Sequence, residues 1–346
     1  MTSWGRKFVA CVALVLPMIF CSLPAYSQNA IAVVGSGSNL PTPLYTHWTE
    51  EYNKLSPKVQ VRYLSTGTMK GIDDISRGVG DFAAGEVPMT DEQMNASRGH
   101  ILQIPTVLVA IVPIYHLPGV TGNLRFSGPL LAEIFLGNIK NWDDPKIKEL
   151  NPGQALPRLE IAVVHRTDGK GSNYIFTDFL AKSSAKWRSQ IGKSPSPAWP
   201  VGVSASRGED MLEKVKNTPG AVGYIELGFT TTDHNVGVGL VENASGKFVN
   251  ANQATIAAAY RSSEKTIPGD FRASLTNALG ADSYPIISFT WLYVPEASND
   301  PERTKALANY IEWALTTGQQ SAENHGYTPL PSSLAPRVLA KVHSLH

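Results

Sequence analysis

Three times in this chain an apolar, β-rich run ends in a short turn of small residues, and a helical pattern follows at once. The turns are Gly35-Ser36-Gly37-Ser38-Asn39-Leu40, Ser65-Thr66-Gly67-Thr68 and Thr167-Asp168-Gly169-Lys170-Gly171-Ser172-Asn173. A strand that feeds a helix through a short turn is the repeating unit of parallel crossover connections. The pattern therefore predicts an α/β fold with a mostly parallel sheet. Residues 30–34, 59–64 and 81–84 are expected as strands, 41–55 and 69–77 as helices, and Thr90-Asp91-Glu92 as the start of another helix. Residues 104–115 form an apolar run broken by Pro105 and Pro113, expected as a buried strand that can cross between lobes. Further on, strands are expected at 160–164, 221–226 and 286–294, and helices at 130–135, 171–181, 208–216 and 301–316. Loops and short strands fill 233–247. At 346 residues two lobes are expected. No repeat or low-complexity linker separates them, which implies that the chain crosses between them more than once.

The N-terminus is set apart from this pattern. Arg6 and Lys7 precede an apolar stretch from Phe8 to Leu23, and Ala25-Tyr26-Ser27 offers small residues where a signal peptidase cuts. Residues 1–27 are thus expected to be a secretory signal peptide, cleaved before Gln28. Pro17 and Pro24 argue against a membrane anchor, and Phe20 against lipidation at Cys21. Removing residues 1–27 takes two of the 30 basic residues and none of the 29 acidic ones, so the net charge moves from +1 to 28 − 29 = −1. That balance carries no strong basic field and excludes general nucleic-acid binding. Cys11 and Cys21 leave with the signal, so the exported chain has to rely on its core rather than on disulfides. A bacterial periplasmic location fits.

The three turns also carry the candidate chemistry. Free N–H groups at a helix N-terminus point outward with partial positive charge and suit an oxyanion. One such turn commonly does no more than cap its helix. Three in one chain, one of them beside Arg166, point to an anion site. A guanidinium there can pair with an oxyanion through two bonds; its other reading is a surface ion pair with Asp168, which would also hold it in place. Glu86 follows the strand expected at 81–84. A carboxylate repels a fully ionised anion but accepts the hydrogen of a protonated one, which would favour phosphate over sulfate. No G-x-x-x-x-G-K-[ST] loop is present, none of the eight histidines pair at helical metal spacing, and Ser172 lacks a G-x-S-x-G context. No catalytic residue, metal or cofactor is therefore assigned.

The segments Gly35-Ser36-Gly37 to Pro41-Thr42-Pro43-Leu44-Tyr45, Leu136-Gly137-Asn138-Ile139-Lys140-Asn141-Trp142-Asp143-Asp144, Val163-Val164-His165-Arg166-Thr167-Asp168-Gly169 and Pro219-Gly220-Ala221-Val222-Gly223-Tyr224 occur in this order. In them the chain resembles the PstS family, periplasmic phosphate-binding proteins that feed the high-affinity phosphate ABC transporter. The resemblance implies a two-lobed periplasmic-binding-protein type II fold with the ligand in the cleft between lobes. It implies a first lobe of residues 28–107 and 284–346 and a second of 108–283. Position by position it implies phosphate contacts from Asn39, Leu40, Ser65, Glu86, Arg166, Lys170, Gly171 and Ser172, with Asp168 supporting Arg166. Asn39-Leu40 replaces a Thr-Phe pair, Glu86 an aspartate, and Lys170 a small hydroxyl residue. The expected protein is a monomeric periplasmic receptor, not an enzyme, whose partners are inorganic phosphate and the permease subunits of that transporter. The alternatives are a receptor for sulfate or molybdate, or a phosphomonoesterase using the same pocket.

Overall fold

The computed structural model describes residues 30–120, 122–230 and 235–346, together with Met1. The expected signal segment beyond Met1, with both cysteines, lies outside the described residues. The strand Ile31–Gly37 runs parallel to Val59–Ser65, from Ile31 opposite Val59 to Gly37 opposite Ser65. Its other edge pairs parallel with Phe82–Gly85. The helices Thr42–Leu55 and Thr68–Ser76 make the two crossovers. The first buries Leu44, Tyr45, Trp48 and Tyr52, which share one face. Each large side chain buried in this way contributes roughly 1.5–3 kcal/mol. Gly37 has φ 133, and a Cβ on it would lie 2.2 Å from the Ala84 carbonyl oxygen. Only glycine lets the first turn leave the sheet here.

The long apolar run becomes one strand, Ile101–Tyr115, buried throughout. It pairs antiparallel with Ile287–Pro295 as far as Ala110 opposite Ile287, and from Ile111 onward with Ala221–Glu226. One strand thus serves two sheets and carries the chain from one lobe to the other. Pro105 cannot donate to the ladder, and the register shifts between Thr290 and Trp291 opposite it. In the second lobe Ala162–Arg166 lies parallel between Ala221–Glu226 and Val203–Ala205. The crossover helices there are Gly171–Ser183 and Gly208–Asn217. Phe176 stacks on Tyr224 at 4.2 Å in an aromatic core that includes Phe135 and Trp199. No helix among the described residues is long and apolar enough to cross a membrane.

A further passage between lobes follows the helix Gln253–Ser263. Gln253 donates to the Tyr327 carbonyl, Arg337 to the carbonyls of Ile267 and Pro268, and Trp291 to that of Phe271. Residues 253–272 fall inside the span 108–283 and yet pack on the C-terminal elements of the first-lobe side. Arg272 then bonds Asp91 at 2.6 Å, whereas Ser274 and Thr276 both donate to Asp178 on the helix Gly171–Ser183. Phe271 (φ 60) and Asn277 (φ 56), the positive-φ non-glycine residues among those described, bracket this change of side.

Candidate functional site

The three glycine turns meet at the ends of their strands, where the two lobes face each other. From the first lobe comes Glu86, fully buried just past Phe82–Gly85. Three hydroxyls donate to it: Ser38 (2.7 Å) and Thr68 (3.1 Å) to Oε2, and Thr290 (3.2 Å) to Oε1. A carboxylate offers about four lone-pair sites, so acceptor capacity remains on Oε1. Opposite it stands Gly171, the first residue of the helix Gly171–Ser183. A Cβ on Gly171 would lie 2.0 Å from Glu86 Oε2, which places the helix start of one lobe against the acid of the other. That helix has no side-chain cap, so its first amides face the cleft unclaimed by its own residues.

Arg166 is the last residue of its strand, two residues beyond the predicted end of that strand, and is 1% exposed. Its Nη1 donates to Ser172 Oγ (3.4 Å) and Glu226 Oε1 (3.3 Å), and Nη2 to the Ser206 carbonyl (3.3 Å). Arg166 Nε and Glu226 Oε2 are buried without partners. The acid beside the guanidinium is therefore Glu226. Asp168, expected in that role, is exposed and makes no ion pair with Arg166. The turn at Gly169 (φ 74) leaves it on the outside.

Asn39, Ser65 and Lys170 line the rim. Asn39 Nδ2 donates to Ser65 Oγ (2.5 Å), and Lys170 Nζ donates across the lobes to Asn39 Oδ1 (3.1 Å). The Leu40 N–H, expected to face the ligand, donates instead to Ser38 Oγ (3.1 Å), and its side chain enters the core. Ser38, Thr68, Thr290 and Glu226 join the site beyond the residues expected from the sequence. Ser38 and Thr68 lie inside the glycine turns, Glu226 ends a predicted strand, and Thr290 gives no local signal.

Burial pushes the Glu86 carboxyl up to about 7; the three hydroxyls oppose this, and Glu226 adds to it. The Lys170 ammonium is held below its usual range by burial and then by Arg166 and Arg207. The folded protein holds the Glu86 proton more tightly than the unfolded chain, whose carboxyl has an ordinary value of 4.5. Stability is thus greatest where Glu86 is protonated and falls as pH rises from about 4.5 to about 7, by on the order of 3 kcal/mol. Glu86→Gln is expected to flatten that profile and to make the ligand-free protein more stable than wild type above about pH 7. Denaturant unfolding across that range checks it; parallel profiles would show that Glu86 contributes no such titration.

Two lobes joined by a shared strand, with polar groups from both gathered at the strand ends between them, are the architecture of a periplasmic-type binding protein. Residues 24–317 match the PBP superfamily domain. The phosphate-binding protein PstS of Haemophilus influenzae is 33% identical over 92% of this chain and 93% of its own length. That of Xylella fastidiosa (strain Temecula1) is 31% identical over 91% and 86%. Among solved structures, a phosphate-binding protein from Stenotrophomonas maltophilia superposes with a TM-score of 0.66 at 19% identity, covering 90% of this chain and 94% of that one. The chain belongs to the PstS family of the PBP superfamily.

Proposed function

We propose that this protein is a periplasmic receptor that binds inorganic phosphate in the cleft and delivers it to the permease of an ABC transporter, without catalysing a reaction. The observation that supports this most is the meeting, across the cleft, of a buried guanidinium, an uncapped helix start and a buried carboxyl that retains acceptor capacity. Arg166 and the amides of Gly171 and Ser172 supply positive character for oxygens of an anion. Glu86 tests for a hydrogen on it. Ser65, Asn39 and Lys170 close the rim. Contacts from both lobes favour the closed state when ligand is present. In this reading the first lobe comprises residues up to 110 and from 287, with 253–272 riding on it, and the second the rest. Residues 1–27 direct export, and the receptor works as a monomer.

Calorimetry of the mature protein, unfolded and refolded to remove bound ligand, tests the reading. Tight phosphate binding that survives a large sulfate excess supports it, whereas equal competition by sulfate or molybdate replaces it with a general oxyanion receptor. Turnover of a chromogenic phosphate ester by metal-free protein would make it an esterase. Discrimination against sulfate should also depend on pH. Above about pH 7 an ionised Glu86 can only accept, and sulfate brings no hydrogen. Below that, protonated Glu86 donates, and sulfate is admitted. Glu86→Gln should lower the phosphate-to-sulfate ratio about tenfold or more at pH 8, one lost charge-charge mismatch being worth at least that. An unchanged ratio would show that Glu86 does not read the hydrogen.

A further inference from the structure

Lys170 immediately precedes the helix whose uncapped start faces the cleft, and its side chain leaves its own lobe. Its ammonium donates to Asn39 Oδ1 at 3.1 Å; Asn39 donates on to Ser65 Oγ at 2.5 Å, and Thr42 Oγ1 donates to the same oxygen at 3.1 Å. The ammonium passes over Gly67, where a Cβ would lie 3.4 Å from Nζ. Beside it the Met69 N–H donates to the Gly169 carbonyl, also across the lobes, at 3.4 Å. The result is a run of polar contacts across the mouth of the cleft, begun by one cation.

That cation is badly placed when no anion is present. Half-burial strips water from the ammonium, and Arg166 and Arg207 add to this by acting against its charge. An anion beside Arg166 offsets this repulsion, so the ammonium is most stable at the mouth when the site is filled. Asn39 gives it a neutral acceptor on the far lobe, which a small hydroxyl residue at position 170 would be too short to reach.

We propose that Lys170 is a charged latch, whose bond to Asn39 holds the mouth of the filled cleft closed and sets how slowly the anion leaves. The proposal rests on the reading of the cleft as a phosphate site. A half-buried charged hydrogen bond of this kind predicts that Lys170→Met raises the phosphate off-rate about tenfold. The on-rate should change by less than about threefold, since affinity differences within one site lie mostly in the off-rate. Lys170→Arg keeps charge and donor and should remain near wild type.

Stopped-flow release of inorganic phosphate from the stripped mature protein measures this for wild type, Lys170→Met, Lys170→Arg, Asn39→Ala and the Lys170→Met/Asn39→Ala double variant. If the bond is the latch, the double variant releases no faster than the faster single variant. A wild-type off-rate in Lys170→Met, or effects that simply multiply in the double variant, overturns the proposal. Should wild type bind no phosphate, the phosphate reading fails by itself. The same release measurement with sulfate or molybdate as the anion then decides the latch: a faster off-rate for Lys170→Met supports it, and an unchanged off-rate, or no binding of either anion, overturns it.

Discussion

Arg166→Ala is expected to weaken phosphate binding by about two to four orders of magnitude, because two charge-assisted hydrogen bonds of roughly 1.5–3 kcal/mol each are lost together. The guanidinium is 1% exposed and held by Ser172, Glu226 and the Ser206 carbonyl, so its donors are fixed in place before an anion arrives. The same change strands Glu226, 6% exposed, without its counter-charge. Breaking a buried pair from one side costs about 3–5 kcal/mol of stability. Loss of binding and loss of fold therefore have to be separated. Arg166→Ala/Glu226→Gln removes the stranded charge and should recover most of the melting temperature while leaving phosphate affinity low. Arg166→Lys keeps a charge but not the planar fork and should fall between wild type and alanine. Calorimetry and thermal melts on the three variants check this. Wild-type affinity in Arg166→Ala would remove the guanidinium from the site, and recovery of affinity in the double variant would show that its role is only structural.

Much of this site was legible because strand ends in a parallel α/β sheet converge on one edge. Glu86, Arg166 and Gly171 each follow directly from a strand and its glycine turn, and the sequence marks such places. Thr290 has no mark of that kind. It lies inside the strand Ile287–Pro295, 204 residues from Glu86, and antiparallel pairing alone brings the two together. Asp168 misled for a related reason. Two residues along an extended strand share a face, but the strand ends at Arg166 and the chain turns before Asp168 can return to it. In the fold, the periodic helices were readable, whereas Pro145–Leu150 and Ala185–Gln190, six residues each, are too short to show an apolar stripe. Gln253–Ser263 carries three consecutive alanines, which blur its apolar face. Its Asn252/Thr255 capping box was the local sign available. The side on which residues 253–272 pack depends on carbonyl contacts from Trp291 and Arg337, which no local pattern announces.

Gly171→Ala is expected to separate closure from folding. A Cβ at this position would lie 2.0 Å from Glu86 Oε2 and 2.9 Å from Glu86 Cβ. The carboxyl cannot swing aside freely, since Ser38, Thr68 and Thr290 tether it, and its Cβ is fixed by the backbone. Relief has to come from the lobes standing further apart. Overpacking of this kind costs about 1–3 kcal/mol, so phosphate affinity should fall about 10- to 100-fold. The three atoms nearest this Cβ all belong to Glu86 of the other lobe, and Gly171 does not sit in the left-handed region, so the change asks little of its own lobe. The ligand-free melting temperature should therefore hold or rise slightly while binding falls, the opposite of what a damaged fold would give. Glu86→Asp draws the carboxyl back by one methylene, and in the Gly171→Ala background it should restore part of the lost affinity. Scattering with and without phosphate should show compaction in wild type and little in Gly171→Ala. If Gly171→Ala binds and compacts like wild type, Glu86 and the helix start do not meet in the ligand-bound state, and the cleft described here is not the one that closes on phosphate.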